Sequence, residues 1–279
     1  MSVLPKNVPV IEIRCDRKWA PLSLTELWQF RFLFYALVWR DITIRYKQTL
    51  IGVLWAVIQP AFMMILFTVI FGRLMKFDTG GVAYPVFSYC ALLSWIFFAR
   101  GLGSASMSLV TNEAIITKVY FPRILVPTAA VMTAFVDFLI AFVVLIPLLV
   151  WYDVSIHPPH LLYPLFVLIN VIAALGVAYI FSILDALYRD VRLVLPFLTQ
   201  LIFFATPVIY SSQIVPARYE AVFWINPMVG VIEGVRWSLL NYPQPPLRNM
   251  AYSCLGAVIL FLFGILFFQK MERKIVDRI

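Results

Sequence analysis

"VFWINPMVGVIEGVRWSLL", residues 222–240, decides how many times this chain crosses a membrane. The segment is apolar enough for a transmembrane helix. Yet Asn226-Pro227 interrupts it near its start, and Glu233 and Arg236 sit near its end. Beyond the proline only Met228 to Leu240 can form one unbroken helix. Thirteen residues at about 1.5 Å each give roughly 20 Å, whereas a bilayer core is about 30 Å thick. The stretch therefore reads as a helix that does not cross, with Pro227 well placed in its first turn. Glu233 and Arg236 lie three apart and share a face, so they can pair with each other or across a dimer. Such an element is tolerated at membrane depth only where protein or water surrounds it, which points to the mouth of a conduit.

The rest of the chain sets that reading in context. Of 279 residues, 63% are hydrophobic and 13% charged, with a mean hydropathy of +0.92. Soluble domains carry about 25% charged residues, so this is an all-α polytopic membrane protein. No stretch of about 50 residues lacks a long apolar run, which excludes a large soluble domain. The net charge of +8 does not indicate nucleic acid, because the basic residues lie between apolar runs rather than on one globular face. Cys15, Cys90 and Cys254 are far apart and fit no metal or redox spacing. The first apolar run starts near residue 50, so no cleaved signal peptide is expected.

Six candidate spans of roughly 18–25 residues follow: Leu50–Phe71, Tyr84–Gly103, Ile124–Trp151, Leu161–Leu184, Val194–Ser211 and Asn249–Phe268. They divide the chain into an N-terminal segment (1–49), a membrane domain (50–268) and a basic tail (269–279). Residues 1–49 hold eight Lys or Arg. Lys118, Arg123, Arg189, Arg192 and four tail residues bring that side to sixteen, against Arg73, Lys76, Arg218 and Arg236 on the other. This bias places both termini in the cytoplasm. Leu22–Gln48 mixes aromatic and aliphatic residues with Glu26, Arg31 and Arg40, and Ser23 with Glu26 fits a capping box. It reads as an amphipathic helix at the cytoplasmic face. No internal repeat is evident, which argues against a secondary transporter.

No catalytic signature is present: there is no Walker loop, HExxH, GxSxG or paired-carboxylate cluster. His157 and His160 in "DVSIHPPH" are three apart, but their flanking prolines favour a solvated loop over a metal site. Asp137, within "AFVDFLIAFVV", must face protein or water, since a carboxylate in a span costs about 2.5–3.5 kcal/mol. It either lines a path or bonds to another helix, and the lack of a second buried acid in line favours the bond. Asp185 and Arg189 are spaced to pair as i, i+4. "SLVTNEAIITKVYFPR" (108–123) has helix-like apolar spacing, ended by its proline, and suits docking of a soluble partner. Trp55, Trp95, Phe98, Phe203 and Phe204 lie too deep for an interfacial belt and are candidates, with Asp137, to line a conduit.

Together, "RDITIRYKQTLIGVLWAVIQP" (40–60), "FTVIFGRL" (67–74), "NEAIITKVYFPRILVP" (112–127), "YRDVRLVLPFLTQ" (188–200), "TPVIY" (206–210) and "NPMVGVIEGVRWSLL" (226–240) resemble the ABC-2 type permease subunits of polysaccharide exporters. The blocks run in order over nearly the whole chain. The resemblance implies a six-span subunit that forms homodimers, each half binding a separate ABC ATP-binding subunit that holds ATP and Mg. The cargo it implies is a polyprenyl-diphosphate-linked glycan such as O-antigen, moved across the inner membrane of a bacterium. Teichoic acid, capsule, or a small lipid or drug are alternative cargoes; apart from the resemblance, a membrane-embedded transferase is a remote alternative function. The N-terminal helix corresponds to the family's interface helix, and residues 107–121 to its coupling helix, with Asn112, Glu113, Ile116, Lys118 and Tyr120. Arg189, Asp190 and Arg192 correspond to a second ATPase contact. Residues 213–240 correspond to an external re-entrant hairpin with gate residues Asn226, Pro227, Met228, Glu233 and Arg236. Arg40, Arg45 and Lys47 are placed to attract the lipid headgroup. No cofactor is expected in this chain.

Overall fold

The second apolar run explains the centre of the bundle, because most of the other long helices pack against it. The computed structural model describes residues 24–47, 52–155, 157–240 and 247–276. All regular elements among them are helical: α1 (Leu24–Gln29), α2 (Arg31–Tyr46), α3 (Leu54–Phe67), α4 (Tyr84–Thr111), α5 (Glu113–Ile116), α6 (Leu125–Trp151), α7 (Tyr163–Leu187), α8 (Val191–Ala205), α9 (Ala217–Phe223), α10 (Pro227–Leu239) and α11 (Leu247–Val276). The expected cap at Ser23, Cys15 and the expected start of the first span at Leu50 lie outside the described residues.

Five segments are long and apolar enough to cross a membrane: Leu54–Leu74, Tyr84–Thr111, Leu125–Trp151, Pro158–Leu187 and Leu247–Glu272. The first is α3 extended by a π-helical turn, Thr68–Leu74. The fifth expected span, Val194–Ser211, is shorter in the structure. Helix α8 has 15 residues, about 22 Å. Pro207 disfavours helical backbone at the residue before it, and Thr206 is accordingly extended at φ −110°, ψ 140°. The second span shows the opposite departure and runs on from Gly103 to Thr111. Its small polar residues continue the helix: the Ser108 and Thr111 hydroxyls donate back to the carbonyls of Ala105 (2.6 Å) and Met107 (3.0 Å). Residues 107–111 of the expected coupling helix thus belong to α4. The separate helix that follows is only α5.

Helix α4 packs along α6 and α7 and also meets α3, α8 and α10. Its polar groups are spent on these neighbours. Tyr89 donates to the Ala141 carbonyl (2.9 Å), Tyr84 to that of Ile209 (2.8 Å), and Asn170 on α7 to that of Ser94 (3.1 Å). The N-terminal helix α2 lies against α6. Its apolar residues fall on two faces. Leu37 is buried with Ile116, Phe121 and Leu125, while Phe32, Tyr35 and Trp39 are exposed, as is Trp28 of α1. It is thus less a two-sided amphipathic helix than one with a packed face and an aromatic outer stripe.

Two glycines let α7 and α11 cross closely. A Cβ on Gly176 would stand 2.7 Å from the Phe261 backbone nitrogen, and one on Gly264 2.4 Å from the Gly176 carbonyl oxygen. Backbone cannot move aside as a side-chain tip can, and small residues are what lets membrane helices approach this closely. Gly176→Ala should therefore lower stability in detergent melts by about 1–3 kcal/mol. Gly103→Ala meets nothing within 4 Å and should leave stability unchanged or slightly raised. Equal melting of the two variants would remove the crossing as a determinant of stability.

Candidate functional site

Chain direction sorts the polar residues by end. Since α4, α6 and α7 alternate, residues 112–124 and 188–190 share one end of the bundle. Tyr84 and Ile209, joined by a hydrogen bond, mark the other.

Midway along the bundle, Asp137 of α6 is buried, with 5% of its side chain exposed. Arg45 pairs with its Oδ2 and Tyr46 donates to its Oδ1, while Arg100 of α4 approaches Oδ2 at 3.3 Å. The other terminal nitrogen of Arg100 donates to Gln59 on α3. Burial first, then Asp137, pushes the Tyr46 hydroxyl up to about 12, so it keeps its proton and donates. One carboxylate thus joins α2, α4 and α6, and through Arg100 also α3. Among the described residues two guanidinium groups share this single acid, leaving one positive charge in excess. Of the expected headgroup residues, Arg45 is engaged here and Arg40 is paired with Asp41 (2.7 Å). Lys47 is exposed at the end of α2.

The deep aromatics converge in part. Trp95 lies 5.7 Å from Phe98 and 5.5 Å from Phe203, centroid to centroid, and Phe203 lies 5.3 Å from Phe204. Trp95 and Phe98 are buried, whereas Phe204 and Trp55 are exposed. Beside this set a groove of about 490 Å³ runs between α3, α4 and α8, and Arg100, Gln59, Trp95, Thr199, Gln200 and Phe203 are among its lining residues.

At the opposite end from α5, α10 is almost wholly buried. Asn226 caps it: its side-chain oxygen accepts from the Met228 N–H (3.0 Å) and its amide donates to the Thr206 hydroxyl (2.9 Å). Such a cap, followed by Pro227, fixes the helix start. Glu233 and Arg236 do pair, within the chain, at 3.1 Å with 1% and 0% of their side chains exposed. Arg236 also donates to the carbonyls of Val208 (2.9 Å), Tyr210 (3.2 Å) and Phe87 (3.4 Å) and lies 3.5 Å above the Phe87 ring. Ser212 donates to the second Glu233 oxygen (2.8 Å). The pair is a pin holding the 206–212 segment and α4 to α10.

At the α5 end, Glu113, Lys118 and Tyr120 are exposed, whereas Ile116 and Asn112 are buried. Ile116 anchors the short helix in the cluster that includes Leu37 and Leu109. Asn112 donates to the Ser108 carbonyl (2.8 Å). Arg189 and Asp190 are exposed at the same end of the bundle, and Arg192 is half-buried.

This architecture has relatives. A family model described as ABC-2 type transporter matches residues 32–240. The chain belongs to the ABC-2 type transporter family. Like other ABC-2 permeases it is an integral membrane protein that works with an ABC ATP-binding partner. It is 27% identical over 250 residues to the O-antigen export system permease protein RfbA of Myxococcus xanthus, covering 88% of this chain and 95% of that one. An RfbA of Klebsiella pneumoniae is 27% identical over 92% of this chain and 99% of its own length. The polysialic acid transport protein KpsM of Escherichia coli is 21% identical, over 86% and 94%.

In this ABC-2 permease several polar contacts depart from the sequence reading. Asp185 does not pair with Arg189. Helix α7 ends at Leu187 and the chain turns extended at Tyr188, which carries Arg189 off the Asp185 face. Arg192 in the first turn of α8 binds Asp185 instead (2.9 Å). His157 and His160 do come together, with centroids 4.3 Å apart. Pro158 and Pro159 start a 3₁₀ turn, in which positions i and i+3 eclipse. Among the described residues, no three His, Cys, Asp or Glu gather to hold a metal. Arg100 and Gln59 were missed in sequence. Arg100 lies three residues from Gly103, the expected end of the span, but well inside α4, which continues to Thr111. The continuous "SASMSLV" run, free of proline, is the signal that could have moved it inward.

Proposed function

We propose that this chain is the permease subunit of an ATP-driven exporter that moves a lipid-linked, O-antigen-like polysaccharide from the cytoplasm across the inner membrane. The observation that carries this reading is the likeness, along nearly the full length, to permeases named for O-antigen export. The lower likeness to KpsM favours, as a second reading, export of a capsule-like polymer by the same route.

The details follow from that reading. Helix α8, continued by the segment after it, makes a sixth crossing, and both termini lie in the cytoplasm with α5. Helices α9 and α10 form an external re-entrant hairpin. Because α10 is pinned by Arg236, the movable part of this gate is α9, where Tyr219 and Val222 are exposed. Two copies assemble through the exposed apolar faces of α3 and α8, and the glycan path runs between them. Exposed aromatic faces suit sugar rings and resist ion flow. Nucleotide is bound and hydrolysed by the separate ATP-binding subunit. Its motion reaches the bundle through α5 and Arg189–Arg192, and packed helices pass such shifts on as discrete rearrangements.

The test is docking. Tyr120→Ala should weaken assembly with the ATP-binding subunit by about 2 kcal/mol, as for an aromatic anchor at an interface. Neutralising Glu113 and Lys118 should lower it further, without loss of the permease from the membrane. Normal assembly and ATP hydrolysis by the triple variant would sink the docking assignment.

A further inference from the structure

The groove between α3, α4 and α8 carries a charge that its surroundings do not explain. Arg100 lies sixteen residues into α4, about 24 Å along a helix of roughly 42 Å. It is therefore far from either end. Its side chain is 26% exposed, and it opens on the groove with Gln59, Thr199 and Gln200 among walls that include Trp95 and Phe203. Lipid cannot face such a lining, because charged and amide groups at that depth need water, protein or a counter-ion. Asp137 supplies only part of one. It is shared with Arg45, whose own exposed part opens on a different cleft lined by Arg40, Asp41 and Thr111. Among the described residues, the groove thus combines one uncompensated positive charge with an apolar and aromatic wall.

We propose that this groove binds a phosphate-bearing group attached to an apolar chain, with Arg100 as the phosphate contact. The proposal rests on the exporter reading and deepens it by naming where the anionic end of the cargo is held. Guanidinium recognises phosphate through paired N–H donors. Nη2, now on Gln59, and Nη1, at 3.3 Å from Asp137, are the two donors available for exchange. When the anion leaves, Gln59 and Asp137 take them back, so the empty groove does not hold a bare charge. Trp95 and Phe203 offer ring faces to the chain or to the first sugar. Arg45 acts here only through the shared carboxylate, which it keeps from neutralising Arg100 fully.

Binding to the full chain in phosphatidylcholine nanodiscs tests this, with undecaprenyl diphosphate as probe and uncharged undecaprenol as its control. Arg100→Gln should lower retention of the diphosphate by about tenfold or more. Arg100→Lys keeps the charge but loses the paired donors and should fall between wild type and Arg100→Gln, and undecaprenol should bind all three alike. Arg73→Gln removes the same charge from an exposed position outside the groove and should retain binding, which separates a local contact from net charge. Inorganic pyrophosphate distinguishes the sources: displacement of the lipid by it marks a site that reads the anion alone, resistance one that also needs the chain. Equal retention by wild type and Arg100→Gln, or equal loss in Arg100→Gln and Arg73→Gln, overturns the groove assignment and leaves the exporter reading standing. Arg100-dependent binding by a chain that assembles with no ATP-binding subunit overturns the exporter reading and leaves the groove.

Discussion

Arg236→Ala is expected to leave little folded protein. The guanidinium is fully buried and satisfies Glu233 together with the carbonyls of Val208, Tyr210 and Phe87. Its removal strands a buried carboxylate and three acceptors at once. Breaking a buried pair from one side costs about 3–5 kcal/mol, and each orphaned acceptor adds about 1 kcal/mol or more. Since whole proteins are stable by only about 5–15 kcal/mol, monodisperse protein recovered in mild detergent should fall to a small fraction of wild type. Arg236→Met with Glu233→Leu removes both charges and should recover part of the loss. Glu233→Gln keeps a partner for Ser212 and should cost less than Arg236→Ala. Wild-type recovery and melting of Arg236→Ala would show that the pin does not hold the fold.

Asp137→Ala is the second large effect. It leaves Arg45 and Arg100 facing one another without the carboxylate that joins them, at a depth where charge is costly. The expected loss is again about 3–5 kcal/mol, but it is local. Helix α2 is tied to the bundle by Arg45 and Tyr46 as well as by Leu37 and its neighbours. Its end should come loose, so trypsin should cut at Arg31 and Arg40 well before the wild type is cut. Asp137→Asn keeps a hydrogen-bond acceptor and should be intermediate. Asp137→Ala with Arg100→Gln removes one of the two stranded charges and should restore part of the protection. Unchanged trypsin resistance of Asp137→Ala would mean that apolar packing alone holds α2.

What the sequence could and could not say divides along physical lines. Apolar length and charge bias are local properties, and they placed five long helices and marked 222–240 as too short and too polar to cross. The pairing of Glu233 with Arg236 was also local, a matter of one helical turn. Pairings between helices were not legible in this way. Nothing near Asp137 in the chain names Arg45, 92 residues away, or Arg100, 37 residues away. The local rule gave Asp185 the wrong arginine, because it assumed that the helix continued past Leu187. Helix ends misled twice more. Pro207 cut α8 short, and back-bonded serine and threonine side chains let α4 run past its apolar part. The aromatics Trp95, Phe98, Phe203 and Phe204 were found by their depth, but that they touch one another is a product of the fold.

Helix α4 has one more consequence, for how the chain enters the bilayer. Of the five segments able to cross, it is the least apolar and the one most enclosed by other helices. A helix that ends up surrounded by protein is released from the need to be greasy, and α4 uses that freedom for Ser88, Ser94, Ser106 and Arg100. During synthesis, however, when α4 first reaches the bilayer, α6 and α7 have yet to follow, so it exposes to lipid what they later cover, including a guanidinium that Asp137 has not yet joined. The gain in packing is therefore offset by a delay: α4 settles in the membrane as part of a group with α6, and its partners downstream complete its insertion.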